Sequence, residues 1–210
     1  MKYLAITLAS VILNGCAAMA DLGDQAANLG QVTVDKSAFD GAMSVKMSPT
    51  WMAPAEDTGI SSASFQMGAM WRSDEPEHVL LELAHPSNTG RSNTYTRFTL
   101  LEVNIDGEMR SFEPGRTRFD SSNYNTVSKT IYTESSAYVT VPYDYLKRMM
   151  NAERCLLRIS TSDGYVEADF TKPTRYGGVT TIGRLPPFIA RVEGLLQQGR
   201  NAALVSPVSE

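Results

Sequence analysis

The side chains that could carry out chemistry are few. Two histidines, His78 and His85, stand seven residues apart in a segment with a strand-like pattern. On one extended strand an odd separation puts them on opposite faces. They lack the i, i+4 helical spacing of a zinc-hydrolase motif and Cys155 is remote in sequence, so no metal site and no cofactor is expected. Serine nucleophiles need a sharp elbow or an adjacent base. No Gly-x-Ser-x-Gly occurs, and Ser87 near His85 has an ordinary context. Paired carboxylates for glycoside hydrolysis could be drawn from Glu82, Glu102, Glu108, Glu167 or Asp169, but the same residues describe a solvated sheet face, and nothing selects a pair. Gly177-Gly178, beside Arg175 and Tyr176, lacks the strand–loop–helix context of a phosphate loop and reads as a turn. The tyrosines at 95, 124, 132, 138, 143, 145, 165 and 176 are the unusual feature. They could line a glycan- or peptide-binding face, or lie half-buried on a pleated surface. No catalytic residue is assigned, and the residues of a ligand site are not named by the sequence.

One further reactive residue lies near the start. Lys2 precedes an apolar run from Leu4 to Leu13, relieved only by Thr7 and Ser10. As a helix its roughly ten residues would span about 15 Å, half of what a bilayer needs and the length of a secretory-signal core. The run ends in Leu13-Asn14-Gly15-Cys16, with Asn14 at a less typical position. These four residues resemble the lipobox of bacterial lipoproteins. The resemblance implies removal of residues 1–15 and lipid attachment at Cys16, by a diacylglycerol thioether and an amide-linked acyl chain. A single chain would hold only marginally, at about 0.8 kcal/mol per buried methylene, and two or three make a lasting anchor. Ala17 and Ala18 stand where an aspartate would mark inner-membrane retention, so the same resemblance implies an outer-membrane anchor facing the periplasm of a Gram-negative host. Ala18-Met19-Ala20 offers a competing, ordinary cleavage that would release a soluble chain starting at Asp21. The lipobox is preferred, because Cys16 falls where an acyl acceptor is needed and is one of two cysteines in the chain. The resemblance covers some sixteen residues and bears on processing, not on activity.

Composition limits the partners. The formal charge is −4 at pH 7, which argues against nucleic acid and against a polybasic membrane patch, leaving the lipid as the membrane contact. Cys155 opens the apolar run Cys155-Leu156-Leu157 and reads as a small core residue, a reactive thiol being the lesser alternative. About 195 residues remain after the signal, enough for one domain with a real core.

The elements that must position these residues are mostly strands. Residues 17–30 are small and polar, a tether that as a coil would hold the domain roughly 20 Å from the anchor, a short helix through Ala26, Ala27 and Leu29 being the alternative. Alternating runs then mark strands at 31–34, 43–47, 64–72, 77–84, 95–105, 108–112, 117–120, 127–134, 137–141, 155–160 and 165–170. Loops are expected over 51–62 and 85–93, Asp106-Gly107 is the best hairpin turn, and Ser135-Ser136 reads as another. A helix over about 142–152 has Leu146, Met149 and Met150 on one face. A final helix starts near Pro186-Pro187, runs along Leu185, Phe188, Ile189, Val192, Leu195 and Leu196, and is capped by Gly199. The expected architecture is mainly β: an antiparallel β-sandwich or partly open barrel over 31–200, with one crossover helix, one C-terminal helix and a loose tail at 201–210. The expected function is a membrane-anchored cell-envelope lipoprotein, a non-enzymatic binding or assembly module with an envelope protein partner. A periplasmic glycan- or lipid-binding protein is the alternative, and an envelope hydrolase comes after it.

Overall fold

A computed structural model describes residues 28–54, 65–90, 94–172 and 180–205. The signal segment, Cys16, nearly all of the tether, Arg175 to Gly178 and the last five residues lie outside these. The described residues form eleven strands and two helices: β1 Val32–Lys36, β2 Met43–Trp51, β3 Ala53–Pro54, β4 Gln66–Arg72, β5 His78–Asn88, β6 Phe98–Ile105, β7 Glu108–Phe112, β8 Arg118–Ser121, β9 Tyr132–Pro142, α1 Tyr143–Asn151, β10 Cys155–Thr161, β11 Gly164–Asp169 and α2 Thr181–Val205.

The strands make two separate antiparallel sheets, one of six strands in the order β1-β2-β4-β5-β9-β8 and one of five in the order β3-β11-β10-β6-β7. The fold is a β-sandwich, not a closed barrel. Period-two alternation sends Met67, Ala69 and Trp71 of β4, and Val79, Leu81 and Leu83 of β5, inward. The other sheet answers with Leu101, Val103 and Ile105 of β6 and Cys155, Leu157 and Ile159 of β10. The Trp71 indole N–H in this layer donates to the Pro76 carbonyl at 3.0 Å. At the β6–β7 hairpin both Asp106 and Gly107 have positive φ, 52° and 97°, as the expected type I′ turn requires.

The α1 helix crosses from β9 in one sheet to β10 in the other. It buries Leu146 and Met149 as its spacing predicts, and also Tyr143 and Tyr145. The α2 helix joins the same core along β1, β2 and β4, with Leu185, Phe188 and Val192 fully buried and Ile189, Leu195 and Leu196 half-buried.

Several segments differ from the sequence expectation, and Ala53–Pro54 forms β3 within the stretch expected as a loop over 51–62. The β5 strand does not stop at Ala84 but runs through His85-Pro86-Ser87 to Asn88, because β9 pairs with it over its whole length, from His78↔Pro142 to Asn88↔Tyr132. Pairing with β4 ends at Ala84, so Pro86 falls where β5 has a single neighbour and the missing N–H costs little. Ser135-Ser136 is not a turn but the middle of β9, its polar side chains buried and used as described below. Finally, α2 starts about a turn and a half before the prolines and runs past Gly199 to Val205, so Asn201 to Val205 are helical, not a loose tail. Its first turn is held by the Thr181 hydroxyl, which donates to the Thr50 carbonyl at 3.2 Å. Beyond Gly199 the good helix formers Ala202, Ala203 and Leu204 carry it on, and Pro207 is the next breaker.

Candidate functional site: the aromatic edge of the six-stranded sheet

The two histidines do not come together. His78 is exposed at the start of β5 and His85 is buried on the opposite face, as the odd separation predicts. His85 is no loop residue. It points inward and stacks on Phe65, ring centroids 4.7 Å apart. Ser135 stands opposite it on β9, and Ser87 is two positions along the same strand. Ser135 is wholly buried and its Oγ accepts the Thr96 backbone N–H at 3.1 Å, which leaves no approach for a substrate. Cys155 is buried as expected, and burial, with Asp169 and Asp106 nearby, pushes its thiol up to about 12. That is an inert core thiol.

The carboxylates are spread over the molecule and most are tied to cations. Glu167 accepts two bonds from Arg158, at 2.9 and 2.8 Å, with Glu102 on the other side of that guanidinium at 3.7 Å. Glu108 pairs with Arg148 at 2.6 Å. Burial pushes the Asp169 carboxyl up, but bonds from Thr171 and Lys172 outweigh it and hold the group low. Glu82 faces Lys46 at 3.7 Å on the outer face of the other sheet. Among the described residues no three His, Cys, Asp or Glu side chains converge on a metal-sized site, and no helix is long and apolar enough to cross a membrane.

The tyrosines divide. Tyr143 and Tyr145 are buried in α1, Tyr165 is exposed on β11, and Tyr176 lies outside the described residues. Tyr95, Tyr124, Tyr132 and Tyr138 are exposed on or beside the long β8–β9 hairpin at the edge of the six-stranded sheet. Two apolar residues that the tyrosine count overlooked join them. Phe119 meets Tyr95 edge-on, centroids 5.5 Å apart, and Val127 at the hairpin loop is 92% exposed. Single exposed apolar residues such as Phe39 in the β1–β2 turn are ordinary, but a cluster on one hairpin is not.

Each member is placed by hydrogen bonds. The segment carrying Tyr95 is latched to β9, where the Thr133 hydroxyl donates to the Thr94 carbonyl at 2.8 Å and Ser135 takes the Thr96 N–H. On its other side the Thr96 hydroxyl donates to Asp163 at 2.9 Å. The hairpin loop is built on Asn125, whose side-chain oxygen accepts the N–H groups of Val127 and Ser128 at 2.9 and 3.0 Å. Asn125 N–H in turn donates to the Thr130 carbonyl at 2.8 Å, and Thr89 bonds Ile131 in both directions, at 3.0 and 3.1 Å. Val127 is therefore not the start of a strand, as alternation suggested, but the tip of an ordered loop. The turn-forming run Ser121-Ser122-Asn123-Tyr124-Asn125 was the signal that could have shown it.

Register separates two sides of this edge. Phe119 opposes Ser135, on the inward-facing side, whereas Arg118 and Asp120 oppose Ser136 and Glu134 on the outer face, together with Tyr132 and Tyr138. Arg118 and Asp120 pair with each other at 2.7 Å. At Glu134 burial, then Glu82 and Asp120, push the carboxyl up against the weaker opposing pull of Lys46 and Arg118. Burial and Glu82 likewise raise Tyr138, which sits directly across from Glu82. The edge offers aromatic area, the carboxyls of Asp120 and Glu134 and an ordered apolar tip, a surface suited to holding a partner. In comparisons with protein families, curated proteins and solved structures, the chain matches none.

Proposed function

We propose that this protein is a lipid-anchored binding module of the cell envelope, held at the periplasmic face of the outer membrane through Cys16, that docks an envelope protein by the β8–β9 edge. The observation that carries the docking surface is the exposed Tyr95–Phe119 pair at this edge, with Tyr124 and Val127 exposed on the ordered loop that follows β8. Apolar groups grouped in this way mark interaction sites, and aromatic residues dominate the energetics of such contacts. The anchor rests on the lipobox resemblance of Leu13 to Cys16. A second reading, a periplasmic glycan-binding protein, is favoured by Tyr132, Tyr138, Glu82 and Glu134 sharing the outer face.

The test is a crosslinked pull-down of the mature protein from native membranes, with its intact mass read first. A chain beginning at Cys16 with added acyl mass is expected, and one beginning at Asp21 without it would remove the anchor. Phe119→Asp should then lose the captured protein while keeping the wild-type melting temperature. Recovery of a glycan in place of a protein, lost on Tyr138→Ala and not on Phe119→Asp, would move the reading to the second function.

A further inference from the structure

The β8 strand ends the six-stranded sheet, and among the described residues no strand pairs with its outer side. Its backbone is set to take one there. The Ser122 N–H donates to the Tyr132 carbonyl at 2.8 Å, one step beyond the last paired residues, Ser121 and Thr133. In an antiparallel ladder every second residue bonds its neighbour, so Asp120 and Arg118 also turn their N–H and C=O groups toward β9. The alternate residues, Phe119 and Ser121, turn theirs outward. The other sheet edges are less open: β3 has two residues, β1 lies against α2, and Glu108 and Arg110 of β7 are tied to α1.

The side chains fix what kind of strand fits. All of β8, Arg118-Phe119-Asp120-Ser121, is exposed. When a second β8 lies antiparallel beside the first with Phe119 at the centre, each Arg118 stands opposite the Asp120 of the other copy. Residues directly opposite have Cβ atoms about 4.5–5.5 Å apart, within reach of an ion pair. Arg118 and Asp120 already pair along their own strand at 2.7 Å, and that bond is kept. A guanidinium has five N–H donors and a carboxylate about four acceptor sites, so the two pairs close into a ring of alternating charge. On the inward-facing side Phe119 meets Phe119, each with Tyr95 edge-on at 5.5 Å. Sliding by two residues either way would set Arg118 against Arg118 or Asp120 against Asp120, so the charges that usually blunt an edge here select one register.

We propose that β8 pairs with β8 of a second copy of this chain, antiparallel about Phe119, joining the two six-stranded sheets into one. An isologous contact of this kind is its own complement and closes at two copies. The pairing rests on the β8–β9 edge being the docking surface and gives its occupant as the protein itself. It does not depend on the anchor at Cys16.

Two differently tagged full-length copies, co-expressed and extracted from native membranes in detergent, test the pairing. Capture through one tag should recover the other from the wild type. Arg118→Asp in both copies, or Asp120→Arg in both copies, places like charges opposite each other and should lower the recovery about five-fold or more. Arg118→Asp in one copy with Asp120→Arg in the other sets opposite charges across the axis again. That mixed pair should restore the recovery, which misfolding of either variant could not allow. No recovery from the wild type, recovery unchanged in every variant, or loss without restoration in the mixed pair would overturn the second copy as occupant. A different protein captured by the wild type and lost on Phe119→Asp, with no second copy recovered, would overturn it while leaving the docking edge in place.

Discussion

Two edge hairpins, β6–β7 on the five-stranded sheet and β8–β9 on the six-stranded sheet, expose their outermost strands in different ways. The β7 edge is charged and pinned: Glu108 is bound by Arg148 of α1, and Arg110 lies over the rings of Phe112 and Tyr145, 5.1 and 5.2 Å from their centroids. The β8 edge spends its two charges on each other, Arg118 on Asp120, and sets Phe119, Tyr95 and an ordered loop tip out into solvent. An exposed strand is a liability that proteins blunt with charge or cover. One edge here is exposed but carries charged side chains tied to α1. The other is shaped by buried hydrogen bonds and exposes Phe119 between Arg118 and Asp120, and it is the edge proposed to dock a partner.

Both hairpins rest on a common core, so the largest effect should come from breaking that core and should not discriminate between them. Phe188→Ala removes a fully buried ring from α2 and should cost about 3–5 kcal/mol. The melting temperature should drop by about 10 °C or more, with hydrogen-exchange protection falling in β7 and β9 alike.

Ser135→Val should separate the two edges. It takes away the buried acceptor of the Thr96 N–H, at about 1–3 kcal/mol. Exchange should quicken at Tyr95 and Thr96 and leave the β6–β7 turn unchanged. Equal loosening of both hairpins would show that the latch is not local.

The smallest effects have opposite signs with pH. The bond from Arg148 holds the Glu108 carboxyl below its usual range. Its stabilising contribution is full above the unfolded value of about 4.3 and is lost as pH falls through the lower folded value. For Glu134 burial, then Glu82 and Asp120, raise the folded value. Its charged form therefore weakens the fold above that value, and the cost vanishes once pH drops below about 4.3. Glu108→Gln should lower the melting temperature slightly at neutral pH, and Glu134→Gln should raise it slightly. Melting curves of the two variants should both approach that of the wild type at pH about 3.

The difference between these edges was only partly legible in the sequence. Alternation gave most strands and the sandwich, because one buried face per strand leaves a period-two record in residues such as Met67, Ala69 and Trp71. The Asp106-Gly107 turn was legible for the same kind of reason, a local backbone need met by local residues. Ser135-Ser136 was not, since serines read as turn formers until a distant segment, Thr94 to Thr96, arrives to use their hydroxyls. His85-Pro86 reads as the start of a loop, and only the full-length pairing with β9 overrides that. The tyrosines were visible as a set but not as a site. Sequence spacing carries no record of which ones α1 buries, nor of Phe119 and Val127 completing the exposed group.

The most direct test of the docking edge is photo-crosslinking from two positions in native membranes, Val127 on one hairpin and Met109 on the other. Both side chains are exposed, 92% and 61%, so access alone does not favour either. A discrete protein adduct from position 127 and none from position 109 is the predicted result. Equal labelling from both, or a discrete adduct from position 109 alone, would contradict the assignment of the β8–β9 edge as the docking surface.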